Sequence, residues 1–508
     1  MKPHLLYRDR EFGWAQPLPW NTDDLTADLD LDPLLDIMAA GDPFVREVAQ
    51  QVLLAGLDEP DEIRYRQAVL ADCVERPGLA RQLYGLVVDI LDGERKVHHF
   101  AFSRSARAVL SRAIDGLDYL GGRLRELRRF AEQHRGGFRS DGFGTLLATL
   151  IDQLGDDYLD VVDGQLDRLR MRSGVLVSAE LGRGNHGARY QLHLPPPRPP
   201  WWRRLRASFR AAPHTLVIDD RDEAGSRALT ELGDRGINPV ANALSQSADH
   251  VLAFLQALRR ELAFYLGAVN LHAALTGHGV PVSFPEPAVT GPALRAERLC
   301  ETTLALRAGR PPVTNDLAAD GRGLIVITGP NQGGKSTYLR ALGQAMLLLR
   351  AGLFVTAGSL RASVPGAVVT HFGRGEDRRM GGGKFDEELR RMSEIVDHLQ
   401  PGWCVLLNEP FATTNAREGS EIGGDIVRAM LDGGVRVLLV THLFDLADQL
   451  RRDRSDAVFL RADRRDDGRR TFLVRPGDPQ PTSNGADLYD LIFGRSDLQV
   501  RADELPTA

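Results

Sequence analysis

Lysine is almost missing from this sequence. Of 63 basic residues only four are lysines (Lys2, Lys96, Lys335 and Lys384), and the rest are arginines. A lysine that has been kept therefore calls for a reason beyond positive charge. Cysteine is equally scarce. Cys73, Cys300 and Cys404 lie far apart and form no C-x-x-C pair, which excludes a disulfide framework and a cysteine zinc site and favours a reducing compartment. A net positive charge is also absent. At −6 the chain has no global cationic field to draw it onto nucleic acid or membrane, so such contacts must be local. Long apolar runs are lacking too. The stretch "AMLLLRAGLFVTAG" is broken by charge well short of a bilayer span, and "MKPHLLYRDREFGW" has no apolar signal core. The expectation is a cytoplasmic protein with no membrane partner.

What is present fits a soluble globular chain. With 508 residues, 43% apolar and 26% charged, it can bury more than one core, and two to four domains are expected. Residues 1–30 read as polar and irregular. From 31 to 172 apolar residues recur at helical spacing, as in "DPLLDIMAAGDPFVREVAQQVLLAG". Residues 174–194 alternate on both sides of a Gly-Asn turn, which predicts a β-hairpin. A proline-stiffened connector, "PPPRPPWWRRLRASFRAAP", follows at 195–213, then a short strand "TLVIDD" at 215–220. Helical periodicity returns over 237–277. From 323 short apolar runs ("GLIVITG", "GAVVTHF", "WCVLLNE", "VRVLLVTH") alternate with amphipathic helices, which predicts a largely parallel sheet covered by helices. Residues 451–470 mix Arg and Asp densely and read as exposed loops and strand edges.

"GPNQGGKST" (Gly329, Pro330, Asn331, Gln332, Gly333, Gly334, Lys335, Ser336, Thr337) fits G-x-x-x-x-G-K-[ST], between an apolar strand and a helical pattern. Glycines let backbone N–H groups wrap phosphates, and a helix N-terminus adds partial positive charge. Lys335 would reach the β- and γ-phosphates of ATP, and the Ser336 hydroxyl would bind Mg²⁺. Downstream, "WCVLLNE" ends in Asn408 and Glu409. Glu409 is the candidate to orient or deprotonate water and, with Ser336 and Asn408, a candidate to hold the metal, and His442, ending "VLLVTH", is the candidate γ-phosphate sensor. Many nucleotide-driven machines carry Asp-Glu where this chain has Asn-Glu. Asn408 keeps an acceptor oxygen for the metal site but brings no charge, so weaker metal grip and slow hydrolysis are expected.

These motifs resemble those of the MutS family of DNA mismatch-repair ATPases. "TGPNQGGKSTYLR" follows the family's phosphate loop, "VTNDL" (313–317, with Asn315) its nucleotide-site segment, "GGGKFDEELRRM" its signature segment and "VTHLFDL" its T-H-Y/F motif. The resemblance is strong over roughly 310–450, weaker over 31–280, and absent from the first thirty residues. It implies an α plus α/β chain. An irregular segment (1–30) would lead into a helical lever or core domain (31–280) with a small β insertion (174–235), then an ABC-like P-loop ATPase domain (281–508). It also implies a head-to-tail homodimer with composite ATP sites that closes on DNA. The lever-like helices begin almost at once, so neither a mismatch-reading nor a connector domain is expected, nor a nuclease domain after the ATPase. Where the family has a Ser, usually followed by Thr, that touches the partner's γ-phosphate, this chain has Gly383 and Lys384. Lys384 either serves an anion there or is a solvated lysine. The alternative function is a non-catalytic ATP-gated scaffold for RNA or a protein.

Two arginine clusters are candidates for nucleic acid. Between Arg104 and Arg139 nine arginines, including Arg107, Arg123, Arg128 and Arg129, face four acids. They read as a phosphate-contacting face or as a solvated helix face. Trp201, Trp202, Arg203 and Arg204 would stack on unpaired bases, lie on a membrane surface, or plug the gap between levers and ATPase.

Overall fold

The computed structural model describes residues 1–480 except 14–17, 99–104, 172–173, 194–216, 220, 290, 374–382 and 465–469. The chain opens with α1 (Thr22–Asp28), α2 (Asp32–Ala39), α3 (Pro43–Ala55), α4 (Pro60–Glu75), α5 (Pro77–His98), α6 (Ala106–His134), α7 (Asp141–Gln153) and α8 (Asp156–Leu169). The hairpin β1 (Leu176–Leu181) and β2 (Gly187–His193) is followed by α9 (Glu223–Gly277). Then come β3 (Glu286–Ala288), β4 (Leu294–Leu299), α10 (Thr302–Ala308), β5 (Asn315–Ala318), β6 (Leu324–Thr328), α11 (Lys335–Arg350), β7 (Ser359–Ser363) and β8 (Val368–Phe372). The chain continues through α12 (Lys384–His398), β9 (Cys404–Asn408), α13 (Ala416–Asp432), β10 (Arg436–Val440), α14 (Phe444–Asp453), β11 (Val458–Arg464) and β12 (Arg470–Pro476).

Two compact units emerge. One holds Met1–Leu5 and Gly78–Leu262, the other Leu6–Pro77 and Ala263–Ala508. This partition differs from the boundary expected at 280, because 31–77 cluster with the α/β part. The reason is local packing: α3 lies on α11, α4 on β3 and α2 on α10. Residues 1–30 are not irregular throughout either. Leu5, Leu6 and Tyr7 are buried, and α1 packs on β8. Apolar residues spaced too thinly to signal an element are fixed here by tertiary contact.

The helical unit is built on amphipathic faces. Leu110 and Ile114 of α6, Leu166 of α8 and Ile237 and Ala241 of α9 share one core, with Leu192 of the hairpin packed against it. β1 and β2 pair antiparallel as expected. Of the strand predicted at 215–220, only 217–219 are described, and they are not strand.

In the second unit a six-stranded sheet runs β12-β11-β6-β10-β9-β8. All neighbours are parallel except the edge strand β12. β6 is buried along its whole length and β9 and β10 nearly so, which explains their unbroken apolar sequence under helices on both faces. β11 lies inside this sheet with Leu460 and Ala462 buried, so 451–470 is more than exposed loop. A second sheet runs β3-β7-β4-β5.

Candidate functional site

The C-terminal ends of β6, β10 and β9, three neighbours in one sheet, carry the phosphate loop, His442 and Asn408-Glu409. Parallel α/β sheets place ligands at that end. The loop follows β6 and turns through left-handed backbone at Gly329 (φ 122°) and Gly334 (φ 93°), the latter capping α11. A Cβ on Gly329 would meet the Ala462 backbone nitrogen at 3.0 Å, and one on Gly333 the Pro330 carbonyl at 2.9 Å. Only glycine lets the loop pass this close. Gln332 adopts φ 61° without that freedom.

Lys335, the first residue of α11, is 4% exposed. Its Nζ donates to the Gly329 carbonyl (2.8 Å) and the Pro330 carbonyl (3.2 Å) and lies 3.7 Å from Glu409 Oε1. Burial pulls this ammonium below the usual lysine range, and the Glu409 charge opposes the shift. The Ser336 hydroxyl donates to Asn408 Oδ1 at 2.8 Å. Glu409 Oε2 lies 3.5 Å from His442 Nδ1. The adjacent His442 ring and the charge of Lys335 hold Glu409 below its ordinary value although burial pushes it up. Glu409 (φ 54°) and Phe411 (φ 58°) both have left-handed backbone. For residues with a Cβ that costs of order 1–3 kcal/mol each. The Glu409 N–H donates to the Val440 carbonyl at 2.8 Å, tying the turn to β10.

A cavity of about 820 Å³ opens beside the loop. Its lining includes the polar residues Glu301, Arg310, Asn331, Gln332, Lys335, Ser336, Thr337 and Glu409 and the apolar residues Leu304, Pro311, Pro312, Val313 and Phe472. Asn315 joins the wall by bonding β12: its Nδ2 donates to the Phe472 carbonyl (3.2 Å) and its Oδ1 accepts from the Val474 N–H (2.7 Å). Phe472 was not anticipated from the sequence. It sits on an edge strand 135 or more residues from the loop, with no local motif to mark it. The groups present suit a nucleoside triphosphate: a buried ammonium, glycine backbone at a helix N-terminus and apolar side chains in the cavity wall. The paired oxygens of Ser336 and Asn408 suit a hard cation.

Gly383 caps α12 and Lys384 is its first residue; both are exposed and neither lines this cavity. The nucleic-acid candidates divide. Arg104, Trp201, Trp202, Arg203 and Arg204 lie outside the described residues. Arg107 and Arg129 are exposed on α6. Arg123 is paired with Glu126 (2.8 Å), and Arg128 with Glu132 (3.0 Å) and Asp156 (2.7 Å). Arg125 likewise meets Asp160 and Asp163. The local arginine excess on α6 is thus offset by acids of α8, which a count along the sequence misses.

Comparison with known proteins gives two family matches: the MutS2 N-terminal domain over residues 58–278 and MutS domain V over residues 325–475. The chain is 31% identical over 175 residues to the DNA mismatch repair protein MutS of Haloquadratum walsbyi, covering 32% of this chain and 19% of the relative. It is 33% identical over 135 residues to the Endonuclease MutS2 of Thermus thermophilus, covering 26% and 18%. It is 30% identical over 235 residues to the DNA mismatch repair protein MSH3 of Pyricularia oryzae, covering 44% and 18%. The matched stretch spans about a fifth of each relative's length.

Proposed function

Because this chain belongs to the MutS family, we propose that it is a DNA-binding ATPase of repair or recombination. ATP binding and hydrolysis would drive homodimer formation and closure of helical lever arms on DNA. The observation that carries this reading is the convergence of Lys335, Ser336, Asn408, Glu409 and His442 at one end of the parallel sheet, beside a cavity with both polar and apolar side chains in its wall.

In this reading the glycine backbone of 329–334 and the N-terminus of α11 hold the triphosphate. Lys335 leaves the loop carbonyls for the phosphate oxygens. Ser336 and Asn408 would hold Mg²⁺, which supplies neutralisation of phosphate charge when bound. Glu409, ionised at neutral pH, accepts the proton of the attacking water, and His442 orients the carboxylate from its other side. Asn315 braces the cavity wall by tying β5 to β12. Lys384, exposed at the start of α12, acts on the phosphate bound by a second subunit. The helical unit serves as the lever, with Arg107 and Arg129 its exposed α6 candidates for DNA phosphate. No helix among the described residues is long and apolar enough to cross a membrane.

One observation favours a second reading. Asn408 brings no charge to the metal position, which suits a non-catalytic ATP-gated scaffold for RNA or a protein. Steady-state ATPase assays with and without Mg²⁺, duplex, branched and single-stranded DNA, and RNA separate the two. Mg-dependent turnover stimulated by DNA and lost in Lys335→Ala supports the first; ATP binding without turnover supports the second.

A further inference from the structure

We infer that Glu388 is a positioning residue for Glu409: from α12 its carboxylate holds the turn that aims the water-activating group. The inference rests on the hydrolytic reading above. Glu388 is 9% exposed and belongs to another element than the phosphate loop or β9. Its Oε1 accepts the Phe411 N–H at 2.6 Å, and its Oε2 accepts the Thr413 hydroxyl at 2.9 Å. Both oxygens of a buried carboxylate are therefore engaged by the residues just after Glu409.

That turn needs holding. Glu409 and Phe411 both have left-handed backbone, and neither is glycine. Strain of this kind persists only where the surroundings over-determine it. At its start the turn is tied by the Glu409 N–H to β10. On its far side Gly419 admits the Phe411 carbonyl so closely that a Cβ there would stand 2.6 Å away. The Phe411 ring is 1% exposed and meets Phe385 of α12 edge-on. Glu388 supplies a further polar restraint, and among the described residues no backbone carbonyl accepts the Phe411 N–H.

A second contact joins Glu388 to the sheet. His371 Nε2 lies 3.5 Å from Glu388 Oε1, and His371 is paired in register with Leu407, two residues before Glu409. His371 is fully buried with both ring nitrogens lacking a well-formed hydrogen bond. Nearby Arg391 of α12 donates to the Phe372 carbonyl (3.2 Å) and lies 3.5 Å from Asp24 of α1. Polar groups of α1, β8 and α12 thus meet behind the Glu409 turn. Glu388 is one helical turn beyond Lys384, the first residue of α12.

The test compares the parent with Glu388→Ala and Glu388→Gln by single-turnover ATP hydrolysis, by binding of a fluorescent ATP analogue, and by hydrogen exchange at the Phe411 amide. Positioning predicts kcat lowered about 10- to 100-fold in the alanine variant, as expected for small misplacements of a reacting group. Nucleotide Kd should stay within about threefold, because the Lys335 contacts are untouched. Phe411 exchange should accelerate. Glutamine keeps the volume and one acceptor oxygen, so it should fall between, and it decides the matter if the alanine variant does not fold. A purely packing role would lower the unfolding midpoint and leave kcat per nucleotide-bound molecule unchanged. Parental kcat in both folded variants overturns the inference alone. A parent with no ATP turnover overturns the hydrolytic reading, and this inference with it.

Discussion

Glu409→Gln should move binding and turnover in opposite directions. Glu409 Oε1 stands 3.7 Å from Lys335 Nζ, and the Lys335 side chain is only 4% exposed. On the proposed function, phosphate would take that ammonium from the carboxylate. At this separation a unit charge pair is worth about 1 kcal/mol at a dielectric of about 80 and about 4.5 kcal/mol at about 20. Glu409 is itself 33% exposed, so solvent places the pair toward the lower figure. Removing the charge should then tighten ATP binding by roughly 1–2 kcal/mol, or about 5- to 30-fold in Kd. The same change removes the proton acceptor, worth about 10²- to 10⁴-fold in rate, or about 2.7–5.4 kcal/mol of barrier. The assay pairs equilibrium binding of a fluorescent ATP analogue with single-turnover hydrolysis. Parental turnover in the glutamine variant would refute Glu409 as base, and weaker binding would refute competition for Lys335.

Asn408→Asp should lower the Mg²⁺ concentration for half-maximal turnover, and an unchanged magnesium titration would show that the amide does not limit the metal. His442→Ala removes the chief influence holding Glu409 below its ordinary value. In the parent, the stability and turnover owed to ionised Glu409 are present above the ordinary glutamate value and lost only as pH falls through the depressed one. In the variant the acid limb of kcat should therefore move to higher pH, and coincident pH–rate profiles would contradict this. Gly329→Ala combines a φ of 122° with Cβ contacts of 3.0–3.1 Å to Ala462. It should cost about 2–4 kcal/mol by denaturant unfolding and weaken nucleotide binding, and an unshifted midpoint would dismiss the strain. Lys384→Ala should reduce ATP-dependent dimerisation and turnover, and mixing it with Lys335→Ala should restore part of the turnover if Lys384 acts across subunits.

The strand–glycine turn–helix unit at 324–350 was legible because its parts, with Lys335 opening the helix, lie within one stretch of sequence. Asn408-Glu409 and His442 were legible because each ends an apolar run, and strands of one parallel sheet finish together. The hairpin at 174–194 was marked by alternation and its turn. What escaped comes from register and packing between distant elements. His371 faces Glu388 only because β8 pairs with β9 at Leu407. Phe472 reaches the cavity only because an antiparallel edge strand returns beside β11. The left-handed backbone of Glu409 and Phe411 has no glycine to announce it. The arginines of α6 looked in excess because several of their acids, Asp156, Asp160 and Asp163, lie on α8, more than 25 residues further on.

Asn408 takes on a clearer meaning beside these contacts. Its Oδ1 accepts from Ser336, and the next residue, Glu409, already faces the buried Lys335 with His442 on its other side. An aspartate in that place would set a second negative charge one residue from the first, against a single lysine. Such a pair repels unless a divalent cation lies between them. With an amide, one carboxylate faces one ammonium, and the two side-chain charges offset each other. On the proposed function, that balance would make Glu409 a competitor for Lys335 until phosphate arrives, and would leave Mg²⁺ to neutral protein oxygens and the phosphates. Metal and nucleotide should then bind as one unit. The affinity for Mg²⁺ alone should be weak, while the affinity for ATP should rise steeply when Mg²⁺ is added. Isothermal titration of Mg²⁺ into the free protein and into its ATP complex measures both. Tight binding of Mg²⁺ to the free protein would show that the amide does not set the balance argued here.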